Sequence, residues 1–221
     1  DGKYWGVDMD VKDSEILVSG YHRDVFSGGT LEDVTDIFLL HADSPLSSDD
    51  WTLMPGIIHD IDADPAQRDS LSVEFGEEQA HLLYQTIRND STGKDRLGVW
   101  YSHGGIDQET WTYRRAVGDE AALPELTVIE HEDMDVLVSI WREGTPQDSE
   151  LVTYVTDSNF KTIDDLETRI SARGLAGIGT VESERGIQVI FDRVGPNGPQ
   201  VEYGLIDIEQ GWIGLSDSLV R

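Results

Sequence analysis

Cysteine is absent from the 221 residues, and lysine nearly so. The first absence excludes disulfides, thiolate metal sites and cysteine nucleophiles. It fits a reducing compartment, or an extracellular domain large enough to stand without staples. The second is lopsided: four lysines (Lys3, Lys12, Lys94, Lys161) stand against twelve arginines, and 16 basic residues in all against 44 acidic ones. A formal net charge of −28 repels phosphates and anionic head groups, so nucleic acid is not an expected partner. Long apolar runs are missing too. None approaches the ~18 residues that cross a bilayer as a helix, and membrane insertion is not expected. The chain opens on Asp1-Gly2-Lys3 with neither an initiator methionine nor a signal-like segment, which reads as a mature or excised product.

Two explanations of the acidity stay open. Excess carboxylate keeps a protein hydrated in high salt, where screening removes its self-repulsion, and the shortage of lysine matches salt-adapted microbes. Alternatively, carboxylates gather to bind Ca²⁺. His59-Asp60-Ile61-Asp62-Ala63-Asp64 sets Asp60, Asp62 and Asp64 at alternate positions, a set of oxygen donors suited to that ion. It lacks the central glycine and distal glutamate of an EF-hand loop.

What the chain does contain is a repeat. The clearest copy reads Leu71-Ser-Val-Glu-Phe75, His81-Leu-Leu-Tyr-Gln-Thr-Ile-Arg88, Arg96-Leu-Gly-Val-Trp-Tyr-Ser102 and Thr110-Trp-Thr-Tyr113. Each run is short, alternating or rich in β-branched and aromatic residues, and bounded by Gly, Ser, Asn or Asp, which predicts four strands. The other copies begin near Trp5, Leu126 and Gly177. In each copy the second strand closes with an arginine: Arg23, Arg88, Arg142, Arg193. In each, the fourth strand opens with an aromatic: Trp51, Trp111, Phe160, Trp212. The expected fold is therefore all-β, a β-propeller of four blades with four antiparallel strands each, in one domain over 1–221. The repeats run over about 1–56, 57–118, 119–167 and 168–221. The alternative is a fragment of a larger propeller, or a half completed by dimerisation. A short helix or turn is expected only between the last two copies, over Thr162 to Ala172, where Leu166 and Ile170 stand four apart.

The second copy resembles the blades of sialidase-like propellers and of the five-bladed glycoside hydrolases, through His81–Thr86, Arg96–Gly105 and Thr110–Tyr113. In the five-bladed hydrolases an Ala-Asp-Pro opening a blade carries the catalytic base, and Ala63-Asp64-Pro65 matches that tripeptide. The resemblance thus implies Asp64 as a base. Asp207 stands five residues before Trp212, the spacing of the sialidase Asp-box, without the glycine and threonine of the box between them. The fourth copy, with Val201-Glu202-Tyr203 and Gly211-Trp212, resembles fungal lectin propellers that hold sugars through Arg, Glu and Trp between blades.

Four functional expectations follow. Arg23, Arg88, Arg142 and Arg193 share one rim, where guanidinium groups either bind sugar hydroxyls and carboxylates or pair with acidic neighbours to fix the blades. Trp51, Trp111 and Trp212 either stack on sugars, with Glu202 beside them, or pack as core. The six histidines have no zinc-type spacing. The principal reading is a non-catalytic binding or assembly module, extracellular or on the cell surface, with a glycan or protein ligand. The cytoplasm of a salt-adapted microbe and a homo-oligomer both stay open. A glycoside hydrolase and a structural subunit of a surface filament or layer are the alternatives.

Overall fold

A computed structural model describes residues 2–24, 35–44, 48–61, 70–77, 79–89, 95–131, 134–183, 186–207 and 211–216. Sixteen strands form four antiparallel sheets, each a meander in chain order. The first holds β1 (Gly2–Lys12), β2 (Glu15–Asp24), β3 (Thr35–Asp43) and β4 (Trp51–Ile61). The second holds β5 (Leu71–Phe75), β6 (Ala80–Asn89), β7 (Asp95–Gly104) and β8 (Tyr113–Asp119). The third holds β9 (Ala121–His131), β10 (Met134–Thr145), β11 (Asp148–Thr156) and β12 (Thr162–Ser171). The fourth holds β13 (Ile178–Ser183), β14 (Gly186–Gly195), β15 (Gly198–Asp207) and β16 (Gly211–Ser216).

The core lies between sheets, because a strand with apolar residues on both faces needs a neighbour on each side. Leu17, Tyr21, Ile37, Leu39 and Ile58 of the first sheet pack on Val73, Leu82 and Tyr84 of the second. Leu83, Val99 and Tyr101, from the opposite face of the second, meet Leu126, Leu137 and Trp141 of the third. Val136, Val138 and Ile140 then meet Ile187, Val189 and Phe191 of the fourth. Consecutive residues such as Leu82 and Leu83 serve different seams, as a period of two requires. The first strands gather at the centre, with β1 against β5, β5 against β9 and β9 against β13. Among the described residues, no seam of this kind joins the fourth sheet to the first. The architecture is a four-bladed propeller whose ring is not seen to close.

Two expected elements differ. Residues 162–171 form an edge strand, not a helix: Ile170 pairs with Leu151 and Thr168 with Thr153. Threonine and isoleucine suit a pleated edge, and pairing with β11 overrides the i, i+4 apolar spacing. The fourth strands of the second and third sheets also start later than expected. Trp111 and Phe160 each stand two residues before them, in the entering turn.

Candidate functional site

Each first strand has an inner edge facing the ring axis, where no further strand supplies hydrogen bonds. On β5 and β9 such edge amides are satisfied by side chains of the preceding blade. Asp8 Oδ2 accepts from Val73 N at 2.9 Å, and Asp10 Oδ2 from Phe75 N at 2.8 Å. Ser72 Oγ accepts from Leu126 N at 3.1 Å, Glu74 from the amide of Val128, and Thr127 meets Thr180 at 3.1 Å. The alternate positions Asp8 and Asp10, Ser72 and Glu74, Glu125 and Thr127 therefore line one axial channel. At the end where β1 turns into β2 the channel opens into a cavity of about 290 Å³, walled by Asp10, Lys12, Glu74, Phe75, Val128 and Glu182. Lys12 brings a positive charge to the wall of this cavity, with its Nζ donating to Gly76 O at 2.9 Å.

Crowded carboxyls in a poorly solvated channel cannot all ionise. Burial pushes the Glu74 carboxyl up to about 9, and the charges of Asp10 and Asp8 add to the effect. Burial, then Asp8, brings Glu125 up to about 7. Asp8 itself is raised by burial, against the stabilising amide of Val73. The channel thus gathers carboxyls whose proton affinities are raised to different extents, Glu74 further than Glu125, an arrangement able to donate a proton at one atom and accept one at another. None of these side chains was singled out from the sequence. Their signal was present as the alternation of polar with apolar residues in every first strand, unreadable as a site among 44 acidic residues.

A second polar cluster lies at the same end of the molecule, in the seam between the second and third sheets. Fully buried His81 places Nε2 3.0 Å from Asp135 Oδ2 and Nδ1 2.7 Å from the Tyr101 hydroxyl. That hydroxyl is 3.1 Å from Ser158 O, and Asp135 Oδ1 accepts from Glu77 N. Burial opposes the Asp135 charge, yet the His81 hydrogen bond and the Glu77 amide together hold its carboxyl below the usual range. Gly76 makes room for the pair, since a Cβ there would lie 2.4 Å from Asp135 Oδ2 and 2.5 Å from His81 Nε2.

The four arginines do occupy equivalent places near the ends of β2, β6, β10 and β14, all at the opposite end of the blades. The three described side chains are engaged inside the protein. Arg23 donates to Thr35 Oγ1 at 2.8 and 3.0 Å and lies 5.7 Å over the Trp5 ring. Arg142 donates to Leu175 O at 3.2 Å, and burial lowers its guanidinium below the ordinary value. Arg193 reaches Glu202 at 2.5 and 2.7 Å and Ser171 O at 3.3 Å. Glu202 is only 5% exposed, so this pair braces the fourth sheet from within. The side chain of Arg88 lies outside the described residues.

Trp111 is 1% exposed in the seam between the first and second sheets. It packs over Gly104, where a Cβ would come within 2.4 Å of the indole. Phe160 fills the corresponding place in the next seam. Trp51 stays half-exposed, and the side chain of Trp212 is outside the described residues. Asp60 is the penultimate residue of β4 with its side chain undescribed, and Asp62 and Asp64 fall outside the described residues, so the calcium loop and the Ala-Asp-Pro base carry no geometry. Among the described residues, Glu15, His41 and Asp43 bring together ligand atoms that could hold a metal, with His41 Nε2 3.5 Å from Glu15 and 3.4 Å from Asp43.

No family model matches the chain, and no curated protein matches it. Solved structures do. A mannose phosphorylase from Leishmania mexicana superposes with a TM-score of 0.51 at 11% identity, covering 98% of this chain and 67% of that one. An α-L-arabinanase from Cellvibrio cellulosa gives 0.49 at 10% identity, covering 96% and 77%. A family-43 endo-arabinanase from Bacillus licheniformis gives 0.46 at 10%, covering 95% and 76%. At such identities the likeness is one of fold alone, and the first of these superpositions carries it.

Proposed function

We propose that this protein acts on carbohydrate as a glycoside hydrolase, with its reacting carboxyls on the propeller axis. The observation that carries the reading is the convergence of Asp8, Asp10, Glu74 and Glu125 from three blades near the axis, where burial and mutual repulsion raise the Glu74 carboxyl further than that of Glu125. Glycoside hydrolysis needs such a pair: one group protonates the leaving oxygen while another activates water or attacks the anomeric carbon. Glu125 suits the acid, because a group titrating near 7 is protonated often enough to donate and acidic enough to do so readily. Asp8, whose charge acts on Glu125, is its carboxylate partner. Glu74 and Asp10, which wall the axial cavity, are placed to hydrogen-bond sugar hydroxyls as donor and acceptor. The fold likeness to sugar-acting propellers supports the substrate class and leaves the sugar unspecified.

A second reading has its own observation. Asp8, Asp10 and Glu74 all accept backbone amides of the next blade, a structural duty that would suit a channel binding a glycan without cleaving it. Hydrolysis of a panel of nitrophenyl glycosides and plant polysaccharides separates the two. Hydrolysis that falls about 100-fold in Glu125→Gln while KM changes little supports the enzyme. Calorimetric binding of an oligosaccharide with no turnover supports the module. Activity lost in Asp64→Asn but retained in Glu125→Gln would move the chemistry to the Ala-Asp-Pro segment.

A further inference from the structure

The face of the first sheet that packs against the second changes character at its end. Leu17 and Leu39 are fully buried there, and a period of two carries the same face on to Glu15, His41 and Asp43. Strand pairing brings the three together: His41 stands opposite Leu17, and Asp43 opposite Glu15. The His41 ring meets Phe75 of the second sheet edge-on, with centroids 6.3 Å apart. The two carboxylates are more open, the Glu15 side chain 45% and that of Asp43 76% exposed.

What the surroundings leave unexplained is the His41 Nε2 atom. It is enclosed from solvent and has no hydrogen-bond partner. Yet it stands beside both carboxylates, 3.5 Å from Glu15 Oε2 and 3.4 Å from Asp43 Oδ1. A charge-assisted hydrogen bond would draw nitrogen and oxygen to about 2.8 Å. The observed spacings match the edge of a tetrahedron instead, since ligands about 2.1 Å from one ion stand about 3.4 Å apart. All three donor atoms lie within 4.8 Å of one another, so a single ion reaches them after small rotations of the two carboxylate side chains.

We propose that Glu15, His41 and Asp43 bind one Zn²⁺ ion. An imidazole nitrogen in the set favours a first-row transition ion over Ca²⁺, whose sites are built from oxygen. Two carboxylates and a neutral imidazole balance the charge of the ion. Three protein ligands leave a fourth tetrahedral position, which opens to solvent past Asp43 and takes water. Because His41 also touches Phe75, the bound ion fixes the mouth of the first seam. The competing occupant is a proton: a protonated His41 would pair with both carboxylates without any metal.

The test is calorimetric titration of the 221-residue chain with Zn²⁺ in millimolar Ca²⁺, which fills oxygen-only sites among its 44 acidic residues. One Zn²⁺ per chain is expected, bound at least tenfold more weakly by His41→Gln and by Asp43→Asn, because even a group that merely orients a ligand is worth about 10–100-fold in affinity. Asp43 is exposed, so its variant keeps the fold whatever becomes of His41→Gln. Co²⁺ in place of Zn²⁺ should give the intense visible absorption of tetrahedral coordination, and both variants should lose it. Three results overturn the proposal. One is no Zn²⁺ bound over Ca²⁺, as a protonated His41 would give. Another is equal affinity for Zn²⁺ in the wild type and either variant. The last is a weak, octahedral Co²⁺ spectrum that neither variant changes.

Discussion

Replacing Glu74 with glutamine isolates the cost of charge in the axial channel. A carboxyl raised in the folded state favours folding while it is protonated, and that contribution is lost as pH climbs from the ordinary 4.5 toward about 9. Glutamine keeps the shape and the oxygen that accepts from Val128 but has no proton to lose. Between pH 5.5 and 8.5, chosen to stay clear of the pI near 4.2, the wild type pays progressively more than the variant. Three pH units at about 1.4 kcal/mol each set a ceiling of about 4 kcal/mol. Solvent in a channel open at one end cuts this to about half, or ~2 kcal/mol. For a chain of this length that is about 4–8 °C in Tm. Urea denaturation of both proteins across the range reads the difference directly, and subtracting one from the other removes the general effect of net charge. The stability of Glu74→Gln relative to wild type should rise with pH. A difference that stays flat from pH 5.5 to 8.5 would refute the crowding of charge on the axis, and with it the acid–base pairing proposed there.

Other outcomes follow from the same contacts. Gly76→Ala should cost about 3 kcal/mol by denaturation, because its methyl group would force apart the buried His81–Asp135 pair and leave a carboxylate without its partner. Arg193→Met should cost a similar ~3 kcal/mol by leaving Glu202 charged and enclosed, whereas the double variant with Glu202→Leu should recover most of the loss in a double-mutant cycle. Neither Arg193 variant should alter turnover of a glycoside. Tyr21→Phe removes the hydroxyl that donates to Gln85 O at 2.6 Å and accepts from Gln85 N at 3.1 Å across the first seam, for an expected loss of about 1–2 kcal/mol. Raising NaCl from 0.1 to 2 M should raise Tm by screening the net charge of −28. Adding Ca²⁺ and then chelating it tests the Asp60–Asp64 segment separately, where a reversible rise in Tm at constant ionic strength is the expected sign.

The repeat was legible in the chain because it is local. A period of two, turn residues at the ends of each run, and an arginine or aromatic at a recurring place all lie within about 50 residues, the span of one blade. Hence four sheets of four strands could be expected before any coordinates. The meaning of those marks was less legible. An arginine at the end of a strand reads equally as a ligand-binding group and as a brace, and only the positions of Thr35, Leu175 and Glu202 show Arg23, Arg142 and Arg193 acting as braces. Trp111 reads equally as a platform and as a plug until Gly104 is seen beneath it.

Sequence alone determined the strand pattern, the number of repeats and the acidity, since each depends on residues close together or on simple sums. Tertiary structure decided which of 44 carboxyls come together near the axis and which of the described aromatics are enclosed. Asp8, Glu74 and Glu125 belong to three different blades and meet only where their strands converge on the axis. Their altered proton affinities come from that convergence, because burial and repulsion act through distance in space and not along the chain.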